Sequence, residues 1–358
     1  MTVTTSALYP PVSATADAER AVQLLDHSRA LVRPALAEAV GRLHPWVGEM
    51  AAYSFGWCEA GGAPAVAAGG KGLRQALAVL GAEAAGAPAS AGVSAAVAVE
   101  LVHVFSLLHD DIMDGDATRR GRPTVWKAYG TGPAVLTGDA LFALAVETLA
   151  AAPGGHVPSA VRHLSTALND LVSGQADDLL FESRPWTGPE AVGPDEYRAM
   201  AEHKTGALLG CAAALGAVLA GAPAATVTAL DRAGRHLGVA FQVIDDLLGI
   251  WGDPAVTGKP VHADLRRRKK TFPVLAALDT PAAVRPLARL LEGAEELDDA
   301  TAHRAAAVIE EAGGRNAALA EAHRHIAHVH ACLDSLPTAS HAADDLRELL
   351  AFLVRREM

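Results

Sequence analysis

Two apolar runs, each ending in a pair of aspartates, are prominent in the hydrophobic pattern of the chain. The run VELVHVFSLL occupies residues 99–108, and the run LGVAFQVI occupies residues 237–244. Apolar residues on successive turns, without proline, are typical of buried helices. The pattern predicts helices within residues 19–60, interrupted near Pro34 and Pro45, over residues 90–114, 133–152, 158–182, 195–222 and 226–252, and within residues 280–358.

The composition favours helices over sheets. Hydrophobic residues make up 51% of the 358 residues and aromatic residues only 4%, while the helix-forming residues alanine and leucine are abundant. We therefore predict an all-α fold, with a single domain over residues 19–358 built as a helical bundle around a central cavity. Residues 1–18 have no apolar period and are expected to be disordered. The cluster Leu8–Pro11 within them is a hint of a docking peptide for a partner.

The net charge of −11 argues against a nucleic-acid partner, because nucleic-acid binding requires a basic surface. The three cysteines, Cys58, Cys211 and Cys332, are too widely spaced for a metal or redox motif and fit a reduced, cytoplasmic setting. The sequence shows neither a signal peptide nor an uninterrupted apolar run of about 18 residues, so no transmembrane segment is expected.

Three acids, Asp110, Asp111 and Asp114, follow the first apolar run. On a helix at about 100° per residue, Asp110 and Asp114 lie about 40° apart on adjacent turns, and Asp111 is also a neighbour of Asp114. Such close carboxylates repel each other, and a divalent cation removes that cost; oxygen ligands favour Mg²⁺. Arg119 and Arg120 follow, and their planar guanidinium groups suit phosphate. This combination indicates a diphosphate substrate.

Asp245 and Asp246 end the second apolar run in the same way, and Asp253, Lys259 and Asp264 follow in a loop. Two acidic clusters on facing helices could hold several metal ions around one diphosphate. Isolated acid pairs elsewhere are usually solvated surface, and the chain has three of them: Asp177-Asp178, Asp298-Asp299 and Asp344-Asp345.

These motifs resemble those of the trans-isoprenyl diphosphate synthases, the farnesyl/geranylgeranyl diphosphate synthase family of polyprenyl synthetases. DDIMD followed by TRRG is similar to the first aspartate-rich motif of the family, and FQVIDD with GDPAVTGK is similar to the second. The resemblance covers about residues 65–275 and implies the isoprenoid-synthase helical bundle and a homodimer. Four further signals occur in family order: GGKGLR (Gly69–Arg74), TGDAL (Thr137–Leu141), GQADD (Gly174–Asp178) and HKTG (His203–Gly206).

The resemblance implies a prenyltransferase that condenses isopentenyl diphosphate with an allylic diphosphate, which is dimethylallyl, geranyl or farnesyl diphosphate. It implies up to three Mg²⁺ ions, or Mn²⁺ in their place, on Asp110, Asp111, Asp114, Asp178, Asp245 and Asp246. It implies catalytic roles for Asp110, Asp111, Asp114, Lys204 and Asp245. The implied substrate contacts are Lys71, Arg74, His103 and Arg120 for isopentenyl diphosphate, and Arg119, Lys204, Thr205, Gln242, Lys259 and Lys269 on the allylic side.

The basic run Arg266–Lys270 follows the second motif. Most of its charges are expected to lie on the solvated surface. By resemblance, Lys259 and Lys269 match family positions that reach the substrate or close the site. A flexible basic loop of this kind could fold over a bound anion and close the site.

Phe105 and Ser106 lie five and four residues before Asp110, so their side chains should lie one turn deeper than the metal site. In the family that the chain resembles, bulky residues at these positions limit product length. One aromatic residue beside one small residue resembles the geranylgeranyl (C20) pattern. We therefore expect a C20 product first and a farnesyl (C15) product next.

Two positions depart from the family pattern. Gly72 stands where a second basic residue often follows Lys71, and Gly249 stands where the second motif usually has its third aspartate; Asp253 is too far along to replace it simply. Two other functions therefore stay open. One is a class I terpene cyclase, although its second metal motif is not found in the sequence. The other is a non-catalytic member of the family, acting as a regulatory subunit or as cargo held through its N-terminal tail.

Overall fold

The computed structural model of the chain describes residues 14–65, 72–254, 260–293, 296–336 and 341–357. The first half of these residues forms helices joined by short turns, with a 3₁₀ turn at Ala89–Gly92 and one antiparallel hairpin. Its elements are α1 (Ala14–Gly41), α2 (Pro45–Ser54), α3 (Leu73–Ala84), α4 (Val93–Met113), β1 (Thr118–Arg119), β2 (Arg122–Pro123), α5 (Val125–Tyr129), α6 (Thr131–Ala150) and α7 (Val157–Ser183).

The second half is also helical. Its first two helices, α8 (Pro194–Ala201) and α9 (Ala207–Leu219), are joined by a π-helical turn at Glu202–Gly206. The remaining helices are α10 (Ala224–Trp251), α11 (Ala263–Arg266), α12 (Phe272–Leu278), α13 (Pro281–Leu291), α14 (Asp299–Glu311), α15 (Gly314–Asp334) and α16 (His341–Glu357).

The predicted all-α fold is confirmed, and four of the long predicted helices correspond to α4, α6, α7 and α10. The single helix predicted over residues 195–222 is wrong in detail. This segment is divided into α8, the π turn and α9, because one extra residue per turn is accommodated at Glu202–Gly206. Sequence periodicity cannot place such a bulge, since the flanking helices keep the same apolar character.

The first helix differs from the prediction in two ways. It begins at Ala14, inside the segment expected to be disordered; residues 1–13, with the proposed docking cluster, lie outside the described residues. The predicted interruption near Pro34 is wrong, because α1 continues through Pro34. Proline within a helix costs about 3 kcal/mol, and the burial of Val32 and Leu36 on either side opposes that cost. Pro45 does begin a new helix, at the position where proline is tolerated.

The central helix is α9, in which residues 207–217 are all buried. A helix that is apolar on all sides is one surrounded by other helices. It packs against α3, α4, α7 and α10, and α10 in turn packs along α15. The acidic motifs at the ends of α4 and α10 are thereby fixed to a common core.

Glycines allow α3 and α9 to approach closely. A Cβ atom on Gly216 would lie 2.9 Å from the backbone nitrogen of Ala82 and would overlap the carbonyl group of Ala78. A Cβ atom on Gly81 would lie 3.2 Å from the carbonyl carbon of Ala213. The distance between the two helix axes therefore depends on the absence of a side chain at these positions.

Two stretches among the described residues are long and apolar enough to cross a membrane, judged by length and composition alone. They are Ala89–Met113, with mean hydropathy 1.9, and Thr131–Ala150, with mean hydropathy 1.4. The expectation of no transmembrane segment considered only uninterrupted apolar runs, and both of these stretches contain polar residues. The first stretch is 61% buried within the molecule and the second 39%, so the apolar character of α4 is explained by its position in the core.

We expect Gly216→Ala to lower the free energy of unfolding by about 1–3 kcal/mol, the usual cost of an overpacked core. The matched control is Gly132→Ala in the first turn of α6, where a Cβ atom meets nothing within 4 Å. That change should leave stability unchanged or raise it by about 0.5–1 kcal/mol, because alanine favours helices more than glycine does. Chemical denaturation measures both. Equal effects of the two substitutions would contradict the close approach of α3 and α9.

Candidate active site

The C-terminal turn of α4 carries the first acidic motif. Burial raises the pKa of Asp110 to about 6; Lys204 opposes this rise and Asp114 adds to it. The backbone N–H of Asp114 donates to the carbonyl oxygen of Asp110 at 2.8 Å, which closes the last turn of the helix. Asp110 therefore lies within electrostatic reach of both Asp114 and Lys204, and the motif faces the lysine of the π turn.

Asp111 is held by the protein. Asp111 is 4% exposed, and its Oδ1 atom lies 2.7 Å from the Nε and 2.6 Å from the Nη2 of Arg119. Successive helical residues point about 100° apart, which separates Asp111 from the face that Asp110 and Asp114 share. The metal role of Asp111 and the phosphate role of Arg119 stay predictions. In this structure the pair fixes the β1–β2 hairpin to α4.

The hairpin turns at Arg120 and Gly121, whose φ angles are 54° and 74°. Glycine adopts this left-handed conformation readily, but arginine does so at an energetic cost. Such backbone strain is concentrated at functional sites. The charge of Arg120 contributes to lowering the pKa of His103, so the turn brings this arginine within electrostatic reach of His103 on α4.

Arg74 on α3 lies against His103 on α4, with its Nη1 atom 3.4 Å from His103 Nε2. We call the surroundings of these two side chains the cationic pocket. Burial lowers the pKa of Arg74 to about 10, partly offset by Glu100, and burial with the arginine charges holds the pKa of His103 well below its usual range. The buried Nε of Arg74 has no hydrogen-bond partner among the described residues. These features fit a bound anion. Lys71 lies outside the described residues.

Lys204 lies in the π turn, a feature that is frequent at functional sites. Gly174 on α7 allows the two backbones to approach, since a Cβ atom there would lie 2.7 Å from the Cα of Lys204. Lys204 Nζ donates to Asp178 Oδ2 at 2.5 Å. The ammonium group is thereby placed between Asp178 of α7 and Asp110 of α4.

Thr205 and Gln242 connect the π turn to α10. The hydroxyl of Thr205 donates to Gln242 Oε1 at 2.9 Å. Gly206 and Gly238 allow the approach, because a Cβ atom on Gly238 would lie 2.6 Å from the backbone nitrogen of Gly206. The two residues predicted to lie near the allylic substrate are therefore in direct contact.

The two acids of the second motif have different environments. Asp245 is exposed, whereas Asp246 is 4% exposed. Asp246 Oδ2 accepts hydrogen bonds from the Tyr197 hydroxyl at 2.5 Å and from the Phe272 N–H at 2.8 Å. Burial raises the pKa of Asp246 to about 8, although these donors oppose the rise. Asp246 thus joins α10 to α8 and α12, and its predicted role as a metal ligand stays a prediction.

A cavity of about 70 Å³ lies beside the second motif, and we call it the acidic cavity. Burial alone would lower the pKa of Lys269, but Asp114, Asp264 and Asp178 outweigh it and raise that pKa. Lys269 therefore lies between the first and second motifs. The polar side chains that line the cavity are those of Asp178, Glu182, Lys204, Gln242, Asp245, Asp246, Asp264, Lys269, Lys270 and Thr271.

The expectation that the run Arg266–Lys270 is mostly solvated is wrong. Only Arg267 in this run is exposed, and its Nη2 donates to Asp116 Oδ1 at 2.8 Å. Lys270 is 8% exposed, with its Nζ 4.4 Å from the centre of the Trp186 ring. The run folds back on the protein because these charges find acidic and aromatic partners that are distant in sequence. Lys259 lies outside the described residues.

Phe105 packs against other aromatic rings near the first motif. Its ring centre lies 4.8 Å from that of His109 and 5.6 Å from that of Phe142 on α6. The hydroxyl of Ser106 donates to the carbonyl oxygen of His103 at 2.9 Å. We call Phe105 and Phe142 the aromatic wall; its predicted position one turn deeper than the metal site, and its role in product length, stay predictions.

The sequence analysis did not identify Tyr197, Asp116 or Asp264 as site residues. Tyr197 is 49 residues from Asp246 in sequence, and no local pattern marks it. Asp264 was placed in the loop after the second motif, but its burial beside Gly249 depends on how that loop folds. Gln175, which belongs to the GQADD signal, is 7% exposed.

The acids fit metal ions that are held jointly with a substrate. Within the described ranges, no three histidine, cysteine, aspartate or glutamate side chains form a group that could hold a metal ion. Mg²⁺ usually binds through one or two carboxylates and completes its coordination with water and substrate phosphate. The oxygen donors of Asp110, Asp114 and Asp245 suit that arrangement better than a site made of protein alone.

We expect Asp246→Ala to lower the free energy of unfolding by about 2–4 kcal/mol, because two buried donors lose their acceptor. Asp246→Asn should cost less, since its amide oxygen keeps an acceptor for the two donors. Asp245→Ala should change stability by no more than about 0.5 kcal/mol, as for other exposed positions. Denaturation in metal-free buffer measures all three. Equal destabilisation by Asp245→Ala and Asp246→Ala would contradict the division of roles within the pair.

Comparison with known proteins identifies the family. The polyprenyl synthetase family model matches residues 57–309. A (2E,6E)-farnesyl diphosphate synthase of Mycobacterium tuberculosis is 43% identical over 342 residues, which is 94% of each chain. A geranylgeranyl diphosphate synthase of the same species is 44% identical over 336 residues, which is 93% of each chain.

The fold agrees with these relatives. The crystal structure of a polyprenyl synthetase from Streptomyces coelicolor matches with a TM-score of 0.86 and 46% identity, covering 92% of this chain and 98% of that one. The comparisons give no support to a terpene cyclase or to a non-catalytic member. The chain thus belongs to the polyprenyl synthetase family and is a short-chain prenyl diphosphate synthase of the farnesyl/geranylgeranyl type.

Proposed function

We propose that the chain binds two diphosphates in adjacent subsites at the end of α4 and joins their prenyl chains there. The observation that carries this proposal is the presence of two cationic environments of different kinds around one helix. Lys204 and Lys269 lie among carboxylates, whereas Arg74 and His103 form a pocket in which arginine charges predominate. The first suits a diphosphate that arrives with metal ions, and the second suits one that binds without them.

The allylic diphosphate occupies the acidic cavity. Asp110, Asp114 and Asp245 would hold up to three Mg²⁺ ions, or Mn²⁺ in their place, and Asp111, Asp178 and Asp246 would contribute to the same sites. When bound, these ions neutralise the negative charge that develops on the leaving diphosphate. Lys204 and Lys269, each of which lies near several acids, supply additional fixed positive charge to the phosphate oxygens. Lys259 and Arg119 are proposed to add to this charge.

The isopentenyl diphosphate occupies the pocket of Arg74 and His103, together with Arg120 and Lys71. The buried Nε of Arg74 gains a phosphate acceptor. A neutral imidazole can still donate one N–H, so the low pKa of His103 is compatible with phosphate binding. Because both subsites adjoin α4, the double bond of one substrate can approach the C1 carbon of the other.

The reaction begins with cleavage of the allylic C–O bond, in which the diphosphate leaves with the bonding electron pair. The double bond of isopentenyl diphosphate attacks the allylic cation and forms the new C–C bond. The proton on C2 of the isopentenyl unit is then lost to the released diphosphate, since the sequence offers no side-chain base to accept that proton. The backbone of Thr205, whose hydroxyl donates to Gln242, would lie near the reacting carbon, as the family resemblance implies.

The expected product is geranylgeranyl diphosphate (C20), with farnesyl diphosphate (C15) next. Relatives of both product classes are about equally similar to the chain, at 44% and 43% identity, so similarity alone does not separate them. The aromatic wall of Phe105 and Phe142 lies deeper than the acids, where a lengthening tail would meet it.

The working enzyme is a cytoplasmic homodimer. Support for the dimer comes from apolar side chains that one chain leaves exposed on α6 and α7. They include Leu136 at 51%, Val172 at 57% and Leu180 at 57% exposure, and contiguous exposed apolar surface is typical of interfaces. Support for the compartment comes from three free cysteines, Cys58, Cys211 and Cys332.

The decisive test is product analysis. We expect purified protein with Mg²⁺, isopentenyl diphosphate and each allylic primer to give a linear prenol after phosphatase treatment. Arg74→Gln should raise the KM for isopentenyl diphosphate roughly 10- to 100-fold, since a hydrogen bond to a charged group is worth about 1.5–3 kcal/mol. Lys204→Gln should raise the KM for the allylic substrate instead.

The matched control for these changes is Arg162→Gln, which alters an exposed arginine of α7 that donates a hydrogen bond to the hydroxyl of Ser159. It should leave both KM values unchanged. The two-subsite proposal fails if Arg74→Gln and Lys204→Gln raise the same KM. It also fails if the protein makes a cyclic hydrocarbon without isopentenyl diphosphate, or shows no turnover with any primer.

We expect Phe105→Ala to shift the product to chains at least one isoprene unit longer, because the aromatic wall is removed. Phe105→Leu should give an intermediate distribution. The fraction of each prenol is measured by chromatography, and this fraction does not depend on how much of the variant is folded. An unchanged distribution with Phe105→Ala would show that the wall does not set product length.

A further inference from the structure

The second acidic motif has glycine at the position one turn after Asp245. A Cβ atom on Gly249 would lie 2.5 Å from the Cγ of Asp264 and would overlap its carboxylate. Residues four apart on a helix share a face, so any side chain at position 249 would leave α10 beside Asp245. The space that such a side chain would fill is already occupied by the carboxylate of Asp264.

Asp264 is held in this place by its own segment. It belongs to α11 and is 7% exposed. Just before it, His262 adopts a left-handed φ of 61°, and its backbone N–H and its Nδ1 lie 3.2 and 2.6 Å from the carbonyl oxygen of Ile250. Just after it, the Lys269 N–H donates to the carbonyl oxygen of Asp264 at 2.9 Å. These bonds fix the segment against the end of α10.

The carboxylate also belongs to the acidic cavity, where it lines the wall together with Asp178 and Asp245. It is one of the charges that raise the pKa of Lys269 and one of those that raise the pKa of Asp246. It therefore contributes to the field at the second motif although it is 19 residues from Asp245 in sequence.

We propose that Asp264 supplies, from the segment after α10, the third acid that the second motif lacks at position 249. Its carboxylate helps to hold the divalent cation that Asp245 binds, directly or through a water molecule. Gly249 is required because only glycine leaves room for it. This inference rests on the proposed function, and it explains how a motif with glycine in that position can retain a full set of acids.

The test exchanges the two residues. Binding of Mn²⁺ in the presence of inorganic diphosphate is measured by calorimetry on the full chain, without any turnover. We expect Asp264→Asn to weaken Mn²⁺ binding roughly 10- to 100-fold, the usual effect of losing a carboxylate next to a metal ion. Gly249→Asp alone should also weaken it, because the new side chain displaces Asp264. The double variant Gly249→Asp with Asp264→Gly should bind within about 3-fold of the unaltered protein.

The control is Asp299→Asn, which removes an exposed acid that pairs with Arg266 of the same short helix. It should leave Mn²⁺ binding unchanged. The proposal is overturned if Asp264→Asn binds Mn²⁺ with the original affinity, even when its melting temperature is lower, because Asp264 then has only a structural role. It is also overturned if the exchanged double variant binds no better than Asp264→Gly alone.

Failure of this inference can be told apart from failure of the proposed function. If Asp245→Asn abolishes Mn²⁺ binding and Asp264→Asn does not, the acidic cavity binds metal as proposed and only the role of Asp264 is rejected. If the unaltered protein fails to bind Mn²⁺ with diphosphate, the proposed function is itself rejected, and the role of Asp264 with it.

Discussion

The site depends on the balance of charge in a small volume. The protein has a net charge of −11, and its site gathers carboxylates to receive substrates that are also anionic. Burial of a carboxylate and repulsion from its neighbours are both costly. Burial, and after it the charges of Asp114 and Asp111, raise the pKa of Asp110. Lys204 and Lys269 offset part of it, each by contact or proximity with acids from more than one element. The proposed divalent cations would complete the balance, so substrate and metal are expected to bind together.

The same balance explains why the paired acids differ. In each pair one member is buried and satisfied by the protein: Asp111 by Arg119, and Asp246 by Tyr197 and Phe272. The other member, Asp110 or Asp245, is the more accessible. Successive residues on a helix point in directions about 100° apart, so a pair of acids at a helix end can tie the helix down and face the cavity at once.

Backbone contacts place these groups. Gly174 and Gly238 allow α7 and α10 to contact the backbone of the π turn. This position of the π turn directs the side chain of Lys204 towards Asp178. A methyl group at either glycine would separate helices that carry opposite walls of the site. The glycines of the sequence signals therefore act through packing distance, while the charged residues beside them supply the chemistry.

The sequence by itself determined the helical class, the long helices α4, α6, α7 and α10, the family and the two acidic motifs, because periodicity and local spacing are properties of neighbouring residues. It did not determine which acid of each pair is buried, the fold of the run Arg266–Lys270, or the place of Asp264 against Gly249. Those features depend on contacts between residues far apart in sequence, and a helical pattern carries no information about which distant side chain fills the space beside it. Only the tertiary structure decided them.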